Sequence, residues 1–312
     1  MEEVNCALCG ATDKILNFKT AGGNFLARCI HCDFQFYSPR PSAKKIEAYY
    51  HEDEFYKKVN VTSIETVVSL LAGHHPGKLL DVGCGVGRLV SVMQKKGWDA
   101  VGIEPSSKAV EIAKKELDLT IQQTYLSETT FKPDTFDVVV LLAVLEHAFD
   151  PVELMEKAWK LLKPGGCVIF STPNLDSLPY LLLENKSEFS WFIREHINQF
   201  TLRTLRYLLK KVGFLDPSFY ACAHFIIEGK ENDIKLLPSI NFTEISKKIF
   251  SQILDRSAKK AFSKGIEDLV EAEVNSLMLH HLISWGIKEG EYGITPAVYG
   301  KASKRDKKKS KN

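Results

Sequence analysis

The sequence contains no apolar run long enough to cross a membrane and no signal-peptide pattern. A spanning helix needs about 20 consecutive apolar residues, and every apolar stretch of this chain is shorter. The opening residues, Met1-Glu-Glu3, do not begin the basic and apolar segments of a leader. From these two absences we expect a cytoplasmic protein with no membrane span.

The sequence also lacks a large excess of charge of either sign. Its 41 Lys and Arg residues stand against 39 Asp and Glu residues, a net charge of +2. Residues 301–312 hold seven Lys or Arg and one Asp, so residues 1–300 are slightly acidic. This is not the footprint of a nucleic-acid binder, and we expect no DNA partner. The basic end is predicted to be a disordered tail, with a basic arm for anionic lipid or nucleic acid as the alternative.

Cysteine is scarce, yet four of the seven cysteines form two pairs. Cys6-Ala-Leu-Cys9 and Cys29-Ile-His-Cys32 have the spacing of a four-thiolate zinc site. Because four thiolates leave no open coordination position, the zinc is predicted to be structural. An iron centre could use the same spacing, and His31 could replace one thiolate. Short strands over 15–18 and 25–28 would complete a zinc-ribbon-like hairpin, whose folding depends on the metal.

A glycine turn between two apolar strands is the central motif of the chain. Residues 78–82 form a short apolar run that predicts a buried strand, and a second such strand, 100–103, ends on Glu104. Three alternating glycines follow the first strand: Gly83, Gly85 and Gly87. The pattern predicts one βαβ unit of a doubly wound α/β sheet, with a turn where a ligand approaches the backbone closely.

The turn departs from the dinucleotide fingerprint, which has glycines at positions one, three and six. Here the third glycine is at position five, and position six is Arg88. Asp81 is poorly placed for a pyrophosphate but well placed to hold an ammonium group, and Glu104 can accept hydrogen bonds from both hydroxyls of a ribose. A ribose and an amino acid without phosphates indicate S-adenosylmethionine.

The segments Asp81–Gly87 and Gly102–Glu104 resemble the first two motifs of the class I S-adenosylmethionine-dependent methyltransferases. The resemblance implies a seven-stranded, mostly parallel sheet whose last strand is antiparallel. It also implies that the adenine lies near Thr124 and Tyr125, where this sequence lacks the acid common in the family. The predicted cofactor-binding residues are Asp81, Gly83, Gly85, Gly87, Glu104, Pro105, Thr124, Tyr125 and Ala143.

A Leu-Glu-His-x-x-Asp-Pro run, residues 145–151, follows the fourth predicted strand at the edge of the sheet where ligands bind. The run resembles small-molecule O-methyltransferases, including the ubiquinone-biosynthesis group. A histidine can take a proton from an acceptor hydroxyl near neutral pH. His147 is therefore the predicted catalytic base, His196 is the second candidate, and Glu146 is a supporting partner. The acceptor is predicted to be a small molecule, a sugar or a lipid-linked glycan.

The rest of the chain completes the predicted organisation. An apolar helical stripe in residues 230–292 is expected to pack on the domain, on a second subunit as a homodimer, or on an acceptor. The predicted parts are a zinc-ribbon-like module (1–40), a methyltransferase core (41–229), a helical insertion (230–292), a last core strand (293–300) and a basic tail (301–312).

Three other functions remain open at this point. A nicotinamide oxidoreductase is disfavoured by the glycine spacing and by the Leu-Lys-Pro-Gly-Gly run at 162–166, a second feature shared with the methyltransferases. A module that binds S-adenosylmethionine without catalysis is possible. An RNA methyltransferase could use the ribbon and the tail to grip RNA, but the nearly neutral body argues against it.

Overall fold

The computed structural model describes residues 1–20, 23–49, 61–175, 195–222 and 297–304. Within these ranges the chain forms a small antiparallel sheet and a larger, mainly parallel sheet flanked by helices. No helix in these ranges is both long and apolar enough to span a bilayer. The predicted helical insertion at 230–292, and the homodimer contact predicted through it, lie outside the described residues.

Strands and helices alternate over residues 61–173, as in an α/β fold. The strands are β1 Lys14–Lys19, β2 Phe25–Cys29, β3 Gln35–Tyr37, β4 Lys78–Val82, β5 Asp99–Ile103, β6 Phe136–Leu142, β7 Leu162–Pro173, β8 Asn198–Gln199, β9 Leu215–Cys222 and β10 Ala297–Ser303. The helices are α1 Ala43–Tyr49, α2 Val61–Leu70, α3 Arg88–Lys95, α4 Ser107–Leu117, α5 Pro151–Leu161 and α6 Leu202–Val212. Short 3₁₀ turns cover Leu126–Glu128 and Leu145–His147.

The larger sheet has the strand order β5-β4-β6-β7-β10-β9. The first four of these strands are parallel, and β10 runs antiparallel to both β7 and β9. The central strands β4 and β6 are almost wholly buried apolar runs, which is the pattern of a parallel strand covered on both faces. The predicted α/β class is confirmed. The carboxyl ends of β4 and β6 meet at one edge, where ligands bind in such sheets.

The segment 120–123, between α4 and β6, pairs with this sheet through a single parallel bridge between Ile103 and Gln122. The bridge is held by two hydrogen bonds, from the Glu104 amide to the Gln122 carbonyl and from the Gln122 amide to the Gly102 carbonyl, each 3.1 Å. The described part of the sheet therefore has six strands and this bridge. Residues 120–123 lie at the edge of the sheet, where a segment pairs on one side only. The single bridge is enough to place them beside Glu104.

The last strand differs from its predicted position at 293–300. β10 continues to Ser303, and the predicted positions 293–296 lie outside the described residues. Lys304, which the charge pattern placed in a disordered tail, is only 6% exposed. Its Nζ donates to Asp134 Oδ1 at 2.5 Å and to the Leu162 carbonyl at 2.8 Å, and it lies over the Trp159 ring. Paired in this way, a lysine can be buried, and residues 301–304 lie in or directly after β10.

The small sheet has the order β1-β2-β3-β8, so β8 joins it from a segment far along the chain. β1 and β2 confirm the predicted hairpin. The ribbon does not have a separate core: Leu8, Phe34 and Phe36 belong to the same apolar cluster as the residues of α6. The rings of Phe34 and Phe200 are 5.1 Å apart. The ribbon therefore packs directly against the larger sheet's helical layer.

Candidate functional site

The two cysteine pairs converge at one end of the small sheet. The sulfurs of Cys6 and Cys32 are 3.5 Å apart, as are those of Cys9 and Cys29, and all four lie within 4.8 Å of one another. A tetrahedral zinc with Zn–S bonds of about 2.3 Å places its sulfurs about 3.8 Å apart. The four sulfurs therefore fit one tetrahedral ion. His31 is not part of this group, because its Nε2 contacts Asp13.

Each cysteine pair is folded into a tight knuckle. The Gly10 amide donates to the Cys6 carbonyl at 2.8 Å, and the Asp33 amide donates to the Cys29 carbonyl at 3.0 Å. Both turns end in the left-handed region, with φ of 81° at Gly10 and 62° at Asp33. Asp tolerates this conformation better than most residues, so the missing second glycine does not disturb the knuckle.

The glycine turn after β4 has its middle residue facing open space. All three glycines have positive φ, and a Cβ on Gly83 or Gly87 would come within 3 Å of a neighbouring side chain. A Cβ on Gly85 would meet nothing within 4 Å, and its φ is 53°. Gly85 therefore marks the side of the turn from which a ligand can reach the backbone.

Two carboxyl groups are buried beside this turn. Glu104 accepts hydrogen bonds from the Gly85 amide through Oε2 and from the Ser106 amide through Oε1, both at 3.0 Å. Burial raises the pKa of Glu104. Burial, and then the charge of Glu104, raise the pKa of Asp81 to about 8. No Lys or Arg in the described ranges pairs with either group, so the pocket favours a ligand that brings a positive charge and hydroxyl groups.

The remaining predicted cofactor residues line the same edge of the sheet. Ala143 has a φ of 53°, and its amide donates to the carbonyl and the hydroxyl of Ser171. Such strain in a residue other than glycine is common at ligand sites. Pro105 directly follows Glu104, and its carbonyl accepts from the Gln123 side chain. The Gln122 bridge places the neighbouring Thr124 and Tyr125 close to this edge, and Tyr125 is 44% exposed.

Two histidines meet beyond the carboxyl end of β6. The rings of His147 and His196 are 4.9 Å apart, edge to face. His147 Nδ1 lies 3.0 Å from the Glu195 carbonyl oxygen. The carbonyl can only accept, so Nδ1 carries the hydrogen, and Nε2 is the basic nitrogen of the neutral ring. Glu146 is 1% exposed, and its carboxyl lies close enough to both rings that one ligand atom from each residue falls within 4.8 Å.

Burial shifts the pKa values of His147 and Glu146 in opposite directions. It lowers the pKa of His147 to about 4, although the hydrogen bond to the Glu195 carbonyl acts in the other direction. It raises the pKa of Glu146 to about 7. Glu146 Oε2 is a buried atom with no hydrogen-bond partner in the described ranges. At neutral pH His147 is therefore uncharged, and the site holds an acid, Glu146, that is partly protonated.

Asn198 was not among the predicted site residues, although the structure places it next to His147. It lies in β8, is 2% exposed, and donates through Nδ2 to the carbonyls of Leu145 at 3.1 Å and Ala148 at 2.6 Å. These carbonyls lie on either side of the Glu146-His147 pair. A strand of two residues has no periodicity, so no sequence pattern identifies this residue.

Comparisons with known proteins agree with this arrangement. The profile of a methyltransferase domain family matches residues 50–216, just over half of the chain. The ubiquinone biosynthesis O-methyltransferase of Aliivibrio fischeri strain MJ11 is 34% identical over 130 residues, which are 40% of this chain and 56% of that protein. The enzyme of the same name from Vibrio cholerae strain O395 is 33% identical over 130 residues, 40% of this chain and 53% of its own. The chain thus spans about half the length of these curated relatives.

A solved structure shows the same fold. A chain of the complex containing the Haloferax volcanii Trm112 methyltransferase activator aligns with a TM-score of 0.52 at 15% identity, covering 84% of this chain and 98% of that one. At this identity the likeness concerns the fold alone. The family profile is more specific, because its match includes the glycine turn, both buried carboxyl groups and the histidine pair. The chain therefore belongs to this methyltransferase domain family, which is of the class I S-adenosylmethionine-dependent type.

Proposed function

We propose that the protein methylates a hydroxyl group of a small-molecule, sugar or lipid-linked acceptor, with His147 as the general base. The observation that carries this proposal is the neutral imidazole of His147, held beside His196 at the edge of the sheet that also carries the cofactor pocket. The O-methyltransferase names of the partial relatives support the choice of acceptor atom. A nitrogen or carbon acceptor would depend less on a base.

The chemistry divides between the cofactor and the chain. Bound S-adenosylmethionine supplies a methyl group on a positively charged sulfur. The backbone hydrogen bond to the Glu195 carbonyl fixes the His147 tautomer, so that Nε2 accepts the hydroxyl proton. His196 is the second candidate for this role, because its ring touches that of His147. Much of the remaining rate enhancement would come from holding the acceptor in line with the methyl group and the sulfur.

We assign the two buried carboxyl groups to the cofactor. Asp81 would hold the ammonium group, and Glu104 would accept from the ribose hydroxyls while its backbone hydrogen bonds fix its position. Thr124 and Tyr125 would contact the adenine, and Pro105 and Ala143 would line other parts of the cofactor pocket. The carboxyl groups support this assignment, because no Lys or Arg in the described ranges pairs with them to neutralise an anionic pyrophosphate, whereas an ammonium group would be attracted by their ionised forms.

A calorimetric titration tests the cofactor assignment. S-adenosylhomocysteine should bind with micromolar affinity and NAD should not bind. The pKa of Asp81, about 8, means that this carboxyl is mostly protonated at pH 7 in the free protein. An ammonium group beside it favours the carboxylate, so binding should release close to one proton, measured by titration in buffers of different ionisation enthalpy.

Asp81→Asn is the matched control for this titration. It should weaken binding and abolish the proton release, because the asparagine has no proton to lose. Binding of S-adenosylhomocysteine without proton release would contradict the role of Asp81. Binding of NAD would contradict the assignment of the whole pocket.

We propose zinc as the ion of the four-cysteine site, in a structural role. Cys9→Ser removes one of four ligands and should release the metal, because the remaining thiolates no longer enclose it. Metal content is measured by plasma mass spectrometry. Cys167→Ala, which removes a buried thiol outside the cluster, should leave the content unchanged. A normal zinc content in Cys9→Ser, or iron in the native protein, would overturn the assignment.

A further inference from the structure

The small sheet extends beyond the ribbon into the catalytic segment. Gln35 and Phe36 of β3 pair with Gln199 and Asn198 of β8. The Tyr37 amide continues the ladder by donating to the Ile197 carbonyl at 2.9 Å. Backbone hydrogen bonds between β3 and β8 therefore join the metal-binding module to residues 195–200. We call these residues the bridging segment.

The bridging segment contacts the histidine turn at three points. Its Glu195 carbonyl accepts from His147 Nδ1, and its His196 ring lies against the His147 ring. Asn198 makes the third contact through its two hydrogen bonds to the carbonyls on either side of Glu146 and His147. The bridging segment thus controls the tautomer, the burial and the backbone position of His147.

The order of β3 depends in turn on the cysteine site. Cys29 ends β2, and Cys32 lies three residues before β3 begins, so the second knuckle is the connection between these strands. Asp33 of this knuckle forms an ion pair with Arg203 at the start of α6. A hairpin this small has little core of its own, and the metal supplies much of its stability.

We propose that the metal-bound ribbon is a positioning element for the catalytic histidines, and that Asn198 is the residue through which it holds the His147 turn. The catalytic meaning of this inference rests on the proposed function, whereas the structural coupling does not. Metal in the ribbon orders β3, β3 pairs with β8, and β8 fixes the turn. A metal far from the transferred methyl group then influences turnover without contacting the substrate.

The test follows the His147 imidazole by nuclear magnetic resonance in the full-length protein labelled with nitrogen-15 histidine. Within the described residues, Glu146 on the same turn and His196 on the bridging segment are titratable groups that lie close to this ring. Asn198→Ala should raise the pKa of His147 by about one unit or more towards its ordinary value. Zinc content and the affinity for S-adenosylhomocysteine should change less than twofold. Chelation of zinc from the native protein should move the His147 signal in the same direction.

Two further variants complete the test. Asn198→Ser keeps one donor and should give an intermediate shift. Ile15→Ala removes an exposed side chain from β1 of the same ribbon, outside the pairing of β3 with β8, and should leave His147 unchanged. With an acceptor in hand, Asn198→Ala should lower kcat at least tenfold and change KM little.

Each of the other possible results contradicts a specific part of the proposal. An unchanged His147 titration in metal-free protein that still binds S-adenosylhomocysteine would overturn the coupling. If the metal-free protein also loses this binding, the ribbon supports the whole fold and is not a positioning element. If the titration shifts as expected while His147→Ala remains fully active, the coupling stands and the proposed base is wrong.

Discussion

Replacing His147 by alanine is expected to lower the rate of methyl transfer by a factor on the order of 10² to 10⁴, the usual contribution of a positioned general base. Its Nε2 is the acceptor nitrogen of a fixed tautomer. Affinity for S-adenosylhomocysteine should stay within about twofold, because the cofactor carboxyl groups are on other strands. The measurement is the formation of S-adenosylhomocysteine from S-adenosylmethionine over a panel of hydroxylated acceptors.

The matched control is His75→Ala, which removes an exposed histidine ahead of β4 and should leave the rate unchanged. Full activity of His147→Ala would move the role of the base to His196. Loss of cofactor binding together with activity would show instead that His147 supports the fold of the pocket.

The pH dependence of kcat/KM for the acceptor, measured with saturating S-adenosylmethionine, tests the role of His147 as the base. A base must be unprotonated, so activity is present above its pKa in the folded protein and is lost as the pH falls through that value. For His147 the pKa of about 4 predicts an acid limb near pH 4, well below the ordinary histidine value of about 6.5. An acid limb near 6.5 that survives in His147→Ala would assign the proton transfer to another group.

Glu104→Ala is expected to weaken the binding of S-adenosylhomocysteine by at least about 30-fold, equivalent to about 2 kcal/mol for a charge-assisted interaction with ribose. The variant should also destabilise the turn, because the amides of Gly85 and Ser106 lose the carboxyl oxygens to which they donate. Calorimetry measures the affinity. Thermal unfolding of the free protein shows whether the turn has lost stability as well.

Glu111→Ala is the control, since Glu111 is an exposed acid on the neighbouring α4. It removes the same charge without touching the pocket, and affinity should be unchanged. Wild-type affinity in Glu104→Ala would refute the ribose role. An equal loss in both variants would show that the effect is one of net charge.

The parts of the site that the sequence predicts are those built from neighbouring residues. The β4–turn–α3–β5 unit is contiguous, so its strand pattern, its glycines and the acid at its end all appear within 30 residues. The same holds for the cysteine knuckles, where one short motif determines each turn. Local sequence therefore predicts the pocket and the metal site.

The parts that escape prediction depend on contacts between distant residues. His147 contacts His196, and Asn198 donates to the Leu145 carbonyl, although the partners in each contact are about 50 positions apart. The strand β8 has only two residues, so it shows no periodic pattern in the sequence. Lys304 is a second case. Its charge predicts exposure, and only the arrangement of Asp134, Leu162 and Trp159 around it explains its burial.

The position of β10 has a consequence for how the chain is made. β10 lies between β7 and β9, although its residues follow those of β9 by more than 70 positions. On the ribosome, β7 and β9 therefore emerge before the strand that separates them. At about 5–20 residues per second, they wait several seconds with unpaired edges that can pair with each other or with another chain. Aggregation during synthesis should therefore rise when translation is slowed between residues 222 and 297, and should change less when it is slowed before residue 215.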